Sequence, residues 1–141
     1  QGADRQVSLA PLRLYSYPQC GTCRKALQWL AQRGLSVDQD QPDRDIELID
    51  ITRTPPGIAE LRQAMAAVGR KRLFNTSGQS YRSLGSATVA AMDDEQALAA
   101  LAADGKLIKR PFAITGSGSV LVGFKPEEWE AALGPALAQE P

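Results

Sequence analysis

The sequence predicts an α/β fold: a mixed four-stranded sheet carrying an all-helical insertion, formed by one domain over residues 12–133. Three observations carry that prediction. A strand pattern, a helix pattern and a second strand pattern follow one another near the start of the chain. The middle, from about 55 to 105, repeats apolar residues at helical spacing. The last third holds a hairpin signal and then a further helix. A chain of 141 residues fits one domain and can bury a core without staples.

Each element has its own reason. Leu12 to Tyr17 (LRLYSY) alternates apolar and polar residues and is rich in strand formers, and Pro18 ends it. In the run that follows, Cys23, Ala26, Leu27 and Leu30 recur at the spacing of one helix face, and Gly34 is placed to stop it. Asp38 to Arg44 is a polar loop. Asp45 to Ile51 (DIELIDI) is a mostly apolar strand, expected to be central in the sheet. A strand, a helix and a strand joined this way form a right-handed βαβ unit.

Thr54-Pro55-Pro56 is expected to open the next helix with its prolines in the first turn, and Ile58, Leu61, Met65 and Val68 keep helical spacing up to Gly69. Asn75 to Asp93 reads as short helices and turns. Asp94 to Asp104 is an alanine-rich helix with an acidic first turn and Gly105 as its stop. Phe112 to Thr115 and Ser119 to Gly123 flank Gly116-Ser117-Gly118 as a hairpin. Pro126-Glu127-Glu128 starts the last helix, with Trp129, Ala132 and Leu133 on it. Trp29 and Trp129 stand at helical positions and are expected to pack rather than to bind. Residues 1–11 are expected to be a disordered or non-native leading segment and 134–141 a C-terminal tail. The order β-α-β, helical insert, β-β-α is that of the thioredoxin-like fold.

Composition narrows the chemistry. Sixteen basic residues balance sixteen acidic ones, so neither nucleic acid nor an anionic membrane surface is an expected partner. No run approaches the ~20 apolar residues of a membrane span. Residues 1–11 lack the basic and apolar regions of a signal peptide, which leads to the expectation of a cytoplasmic protein. The chain has no histidine, which excludes Ser-His-Asp triads, Cys-His dyads and HExxH zinc sites. There is no GxxxxGK phosphate loop. The two cysteines, Cys20 and Cys23, form a CxxC pair, and no further Cys or His exists to complete a zinc site within one chain. No bound metal or cofactor is expected. In a reducing compartment such a pair is more often catalytic or redox-sensing than structural.

The two sulfurs differ by position. Cys23 falls on the apolar stripe of its helix and is expected to be buried. Cys20 precedes the first helical turn, where unpaired amides and the helix dipole favour a thiolate. Arg24 and Lys25 add positive charge nearby. Cys20 is therefore the nucleophile by position and Cys23 the candidate resolving thiol. The alternative is an inert pair of small buried side chains.

The segments YPQCGTCRKALQWL, PP followed by a helix containing EL, LFNTSGQSYRSLG, DGKLIKRPF and VLVGFKPEEW together resemble the arsenate reductase–Spx family of thioredoxin-like proteins. The resemblance runs from about Leu12 to Leu133. It implies that Cys20, with Gly21 and Thr22 of the CGT motif, corresponds to the family's nucleophile, whose thiolate attacks arsenate. Glutathione with glutaredoxin, or thioredoxin, then serves as electron donor. Those reductases hold the oxyanion with a set of arginines. Arg110 matches one of them, Asn75 stands where a second would be, and Lys125 sits near a third. An Asn offers one neutral amide and a Lys keeps charge without the planar fork. Where the enteric enzymes have Ser, this chain has Cys23. That pattern also fits Spx-like members, in which a Cys20–Cys23 disulfide would switch binding to RNA polymerase. Arg110-Pro111 resembles the cis-proline site that faces the cysteine in these folds. Arg24 and Arg82 complete the candidate pocket residues, Arg82 reading equally as a surface arginine. Asn75 reads equally as a helix C-cap in the left-handed region. Lys106, Lys109 and Arg110 make a basic rim beside the proline. The expected substrate is a small oxyanion or a thiol or disulfide compound.

Overall fold

The computed structural model describes residues 12–35 and 46–138, with 134–138 described in backbone only. The leading segment 1–11 and the loop over 38–44 lie outside the described residues. A four-stranded sheet runs in the order β2-β1-β3-β4. β1 (Leu12–Ser16) pairs in parallel with β2 (Ile46–Asp50), Leu14 opposite Leu48. It pairs antiparallel with β3 (Phe112–Ile114), Leu14 opposite Ala113, and β3 continues into the hairpin with β4 (Val120–Val122). Gly118 takes φ 93° in the hairpin turn, a backbone region that favours glycine.

The strand period of two sorts side chains into two cores. Leu12, Leu14, Ala113 and Leu121 face one layer, with Ala26, Trp29 and Leu30 of α1 (Gly21–Gln32) and Trp129 and Leu133 of the last helix. Tyr15, Phe112, Ile114 and Val122 face the other, built from the helical insert. The insert comprises α2 (Ile58–Val68), α3 (Arg70–Leu73), α4 (Gln79–Leu84), α5 (Ser86–Ala91) and α6 (Asp94–Ala103), followed by a 3-10 turn over Gly105–Leu107. The last helix, α7, runs Pro126–Ala138, so the chain stays helical past Leu133. Trp129 is fully buried, donates its indole N–H to the Gly123 carbonyl at 3.0 Å, and meets Trp29 and Phe124 edge-on.

Helix ends follow the sequence closely in two places. Gly34 takes φ 84° after α1, and its N–H donates to Ala31 O while Leu35 N–H donates to Leu30 O, closing the helix as a Schellman motif. Asp93 caps α6: its Oδ1 accepts from Gln96 N–H at 2.7 Å, and Gln96 Oε1 accepts from Asp93 N–H at 2.9 Å.

Three expectations are corrected. β2 is an edge strand, not a central one. Its apolar residues divide between the two cores, Ile46 and Leu48 to one and Ile49 to the other, so an edge strand covered on both faces is as apolar as an interior one. Pro55 and Pro56 precede α2 rather than sitting in its first turn; Gly57 is its N-cap, and Glu60 Oε1 accepts from Gly57 N–H at 2.8 Å. Gly105 does not act as a helix stop through its backbone freedom. It is buried where the chain passes β2's end, and a Cβ there would stand 1.9 Å from Ile51 O.

Candidate active site

The turn from β1 into α1 sets the first sulfur. Tyr17 O accepts from Cys20 N–H at 2.9 Å, and Cys20 O accepts the first helical bond from Arg24 N–H at 3.1 Å. Cys20 is thus the N-cap, with extended backbone at φ −90° and ψ 118°. Its side chain is half-buried, and Cys23 one turn on is 1% exposed. Both are free thiols.

Their surroundings pull the two apart. Burial opposes ionisation of Cys20, but hydrogen bonds from the Cys23 N–H and thiol and from Arg110, with the Arg110 charge, outweigh it and hold the Cys20 thiol below its ordinary pKa. Cys23 is pushed up to about 12, first by burial and then by its hydrogen bond to Cys20 and the charge there, against a lowering contact with the Tyr17 backbone and the Arg110 charge. The same turn thus lowers one thiol and raises the other. That is the division of labour an attacking and a resolving thiol need.

The cation on Cys20 is Arg110, not the Arg24 and Lys25 pair that sequence proximity pointed to. Arg24 turns outward and donates from Nη1 to Pro18 O at 3.0 Å, and Lys25 is exposed. A helical side chain leans back over the turn before it, and Arg24 uses that reach on the Pro18 carbonyl, leaving Cys20 to a cation from a neighbouring loop. Arg110 comes from that loop, after the 3-10 turn. Its Nη1 donates to Lys106 O at 3.3 Å, its guanidinium lies 5.3 Å from the Tyr17 ring centroid, and its buried Nε has no hydrogen-bond partner among the described residues. The Arg110–Pro111 peptide is cis.

The other predicted residues divide. Pro111 is buried, and its carbonyl accepts from Gly123 N–H at 2.8 Å. Asn75 is 9% exposed; its N–H donates to Leu107 O at 2.8 Å, its Nδ2 reaches Lys106 O at 3.5 Å and its Oδ1 accepts from Ser77 Oγ at 3.2 Å. Asn75 and Arg110 therefore share Lys106 O as an acceptor. The C-cap reading of Asn75 fails, because Phe74 caps α3 and, among the described residues, only glycines take positive φ. Arg82 is exposed and donates to Ser77 O at 2.7 Å, closing its own loop instead of joining Arg110. Gly21 is exposed with open space around it; Thr22 and Lys125 are exposed and line a common groove. Tyr17, one side of the Arg110 contact, escaped the sequence reading as a site residue. Its position at the strand end immediately before Pro18 is the signal that could have found it.

No group of three or more His, Cys, Asp and Glu side chains comes together as metal ligands among the described residues. No helix among them is long and apolar enough to cross a membrane. A mixed sheet with helices on both faces, and a CxxC pair at the N-terminus of its first helix met by the arginine of a cis Arg–Pro peptide, define a thioredoxin-like protein. Within that class the chain belongs to the ArsC family, whose model matches residues 15–132. It is similar to the uncharacterized protein YusI of Bacillus subtilis, with 40% identity over 122 residues covering 84% of this chain and 95% of that one. A possible arsenate reductase from Streptococcus mutans UA159 superposes with a TM-score of 0.72 at 35% identity, covering 86% of this chain and 98% of the other. The regulatory protein MgsR of Bacillus subtilis is 24% identical over 119 residues, 83% of this chain and 86% of its own length.

Proposed function

We propose that the protein is a thiol-dependent oxidoreductase of the arsenate reductase type, with Cys20 as nucleophile and Cys23 as resolving thiol. The observation that carries the reading is the placement of the two thiols within one helical turn, Cys20 half-buried at the N-cap beside Arg110 and Cys23 1% exposed behind it, which lowers the first thiol's pKa and raises the second's. On a disulfide substrate R–S–S–R′, the Cys20 thiolate attacks one sulfur. The S–S bond breaks, R′–S⁻ leaves and takes a proton from solvent, and a Cys20–S–S–R adduct forms. Cys23 then attacks the Cys20 sulfur as its proton passes, directly or through solvent, to the departing R–S⁻, releasing R–SH and leaving a Cys20–Cys23 disulfide. Two electrons pass from the protein to the substrate. Arg110 stabilises the thiolate before attack; Asn75 and Lys106 O hold Arg110 in place.

The family resemblance adds arsenate as a substrate, with glutathione and glutaredoxin, or thioredoxin, returning the electrons. Reduction of arsenate and of a model disulfide by the purified protein with each donor tests the reading. Turnover that disappears in Cys20→Ser is the expected result. No turnover of either substrate with any donor, in wild type as in Cys20→Ser, removes the enzymatic reading. The similarity to MgsR favours a second reading, a redox-sensing regulator. Its test is redox-dependent capture of RNA polymerase by the oxidised or the reduced protein without turnover.

A further inference from the structure

Beside the thiol site lies a groove of about 500 Å³ bounded by Thr22, Lys71, Thr76, Lys109, Phe124 and Lys125. Its lysines have no carboxylate partner among the described residues. Arg72 also lines it but is already committed, paired with Glu128 at 2.9 Å and donating to Val122 O at 3.1 Å. The groove therefore presents three ammonium groups and no acid in its own wall, with Lys125 alone in the field of a nearby carboxylate, Glu128. Gly123 is part of the reason Lys109 lies where it does. Gly123 takes φ 73°, and a Cβ on it would stand 3.3 Å from Lys109 Cε, so the bare backbone leaves room for the lysine stem.

A second cavity of about 470 Å³ adjoins the first, and Lys71, Phe74 and Thr76 belong to both. Its walls are mostly apolar: the Phe74 and Tyr81 rings, 6.3 Å apart and edge-on, with Val89 and Ala90 of α5. Each volume lies in the range that small-molecule ligands fill. A compact oxyanion at Arg110 has no atoms to reach across such a space. An elongated molecule with separated carboxylates and an apolar group does.

We infer, resting on the thiol–disulfide reading above, that the substrate of Cys20 is a small acidic disulfide bearing an aromatic or aliphatic substituent. Its carboxylates lie over Lys71, Lys109 and Lys125, and its apolar group lies against Phe74, Tyr81 and Val89. Thr22, in the first turn after Cys20, is the part of the groove's wall that stands beside the nucleophile's turn. The half held in the groove is the R group of the Cys20–S–S–R adduct, released as R–SH when Cys23 attacks.

The test measures second-order rates of the reduced full chain with three disulfides. Dithiobis(nitrobenzoate) is aromatic and anionic, dithiodipyridine is aromatic and uncharged, and dithiodiglycolate is anionic without a ring. The variants are Lys71→Gln/Lys109→Gln and Ala90→Trp, all at exposed positions, with folding checked by circular dichroism. The double variant is expected to slow the two anionic probes about tenfold or more, as loss of a focused positive field requires. It should leave dithiodipyridine unchanged, and added salt should narrow the same difference in wild type. Ala90→Trp should slow dithiobis(nitrobenzoate) and spare dithiodiglycolate. Equal effects of the double variant on charged and uncharged probes, or no effect on any, overturn the lysine assignment; indifference of every probe to Ala90→Trp overturns the apolar one. A wild-type Cys20 no faster than a free thiol toward all three probes overturns the reductase reading itself, and this inference with it.

Discussion

Removing the Arg110 guanidinium should cost Cys20 most of its nucleophilicity at neutral pH. In Arg110→Met the thiolate loses a hydrogen bond from a charged donor, while a side chain of similar reach keeps the packing under Tyr17. A hydrogen bond to a charged group contributes about 1.5–3 kcal/mol. Cys20 is half-exposed, so solvent screening takes the effect to the lower end, about 1.4 kcal/mol or a tenfold drop in thiolate at a pH below both the wild-type and the variant pKa. The assay is iodoacetamide alkylation followed by mass spectrometry across a pH series. Cys23 does not interfere below pH 9, being 1% exposed and pushed up to about 12. The sign is set by the thiol acting as an acid. Its rate rises as pH passes the folded pKa, which in wild type lies below the ordinary thiol value, so the variant's profile shifts to higher pH. Arg110→Lys should recover part of the loss and Arg24→Met should change nothing. An unmoved profile in Arg110→Met, or an equal shift in Arg24→Met, refutes the assignment of the cation.

The remaining predictions concern the frame around the sulfurs. Gly105→Ala places a Cβ 1.9 Å from the Ile51 carbonyl oxygen, and that overlap should cost at least about 1–3 kcal/mol in urea unfolding; a stability equal to wild type would show that the loop yields freely. Trp129→Ala empties the middle of the Trp29–Phe124 cluster and frees the Gly123 carbonyl, and should cost about 3–5 kcal/mol. Full stability of that variant would contradict the packing described for the core around Trp29 and Trp129.

Much of this arrangement was readable from one sequence, and the limits have physical causes. β1, α1 and the hairpin were placed because each couples a hydrophobic period to a breaker: Pro18 after the strand, Gly34 after the helix, Gly118 in the turn. The unequal roles of Cys20 and Cys23 were readable for the same reason, since helix spacing puts one at the cap and the other on the buried stripe. Contacts between segments far apart in sequence were not. Arg110 meets Cys20 across ninety positions, and nothing in local spacing separates it from Arg24, which is nearer in sequence and faces solvent. The edge position of β2 was hidden because burial on both faces erases the pattern that marks an edge. Gly105 read as a helix stop because the close pass of β2's end lies in another segment. Tyr17 looked like the end of a strand, and its part in holding Arg110 emerges only when the loop carrying Lys106 folds back over it.

The central claim is that Cys20 attacks and Cys23 resolves. Mass spectrometry of the reduced protein after one equivalent of a small disulfide tests it most directly. Wild type should end as the Cys20–Cys23 disulfide with no adduct, Cys23→Ser should hold a stable mixed disulfide on Cys20, and Cys20→Ser should stay unmodified. A mixed disulfide on Cys23 in the Cys20→Ser protein, formed as fast as wild type reacts, would contradict the account.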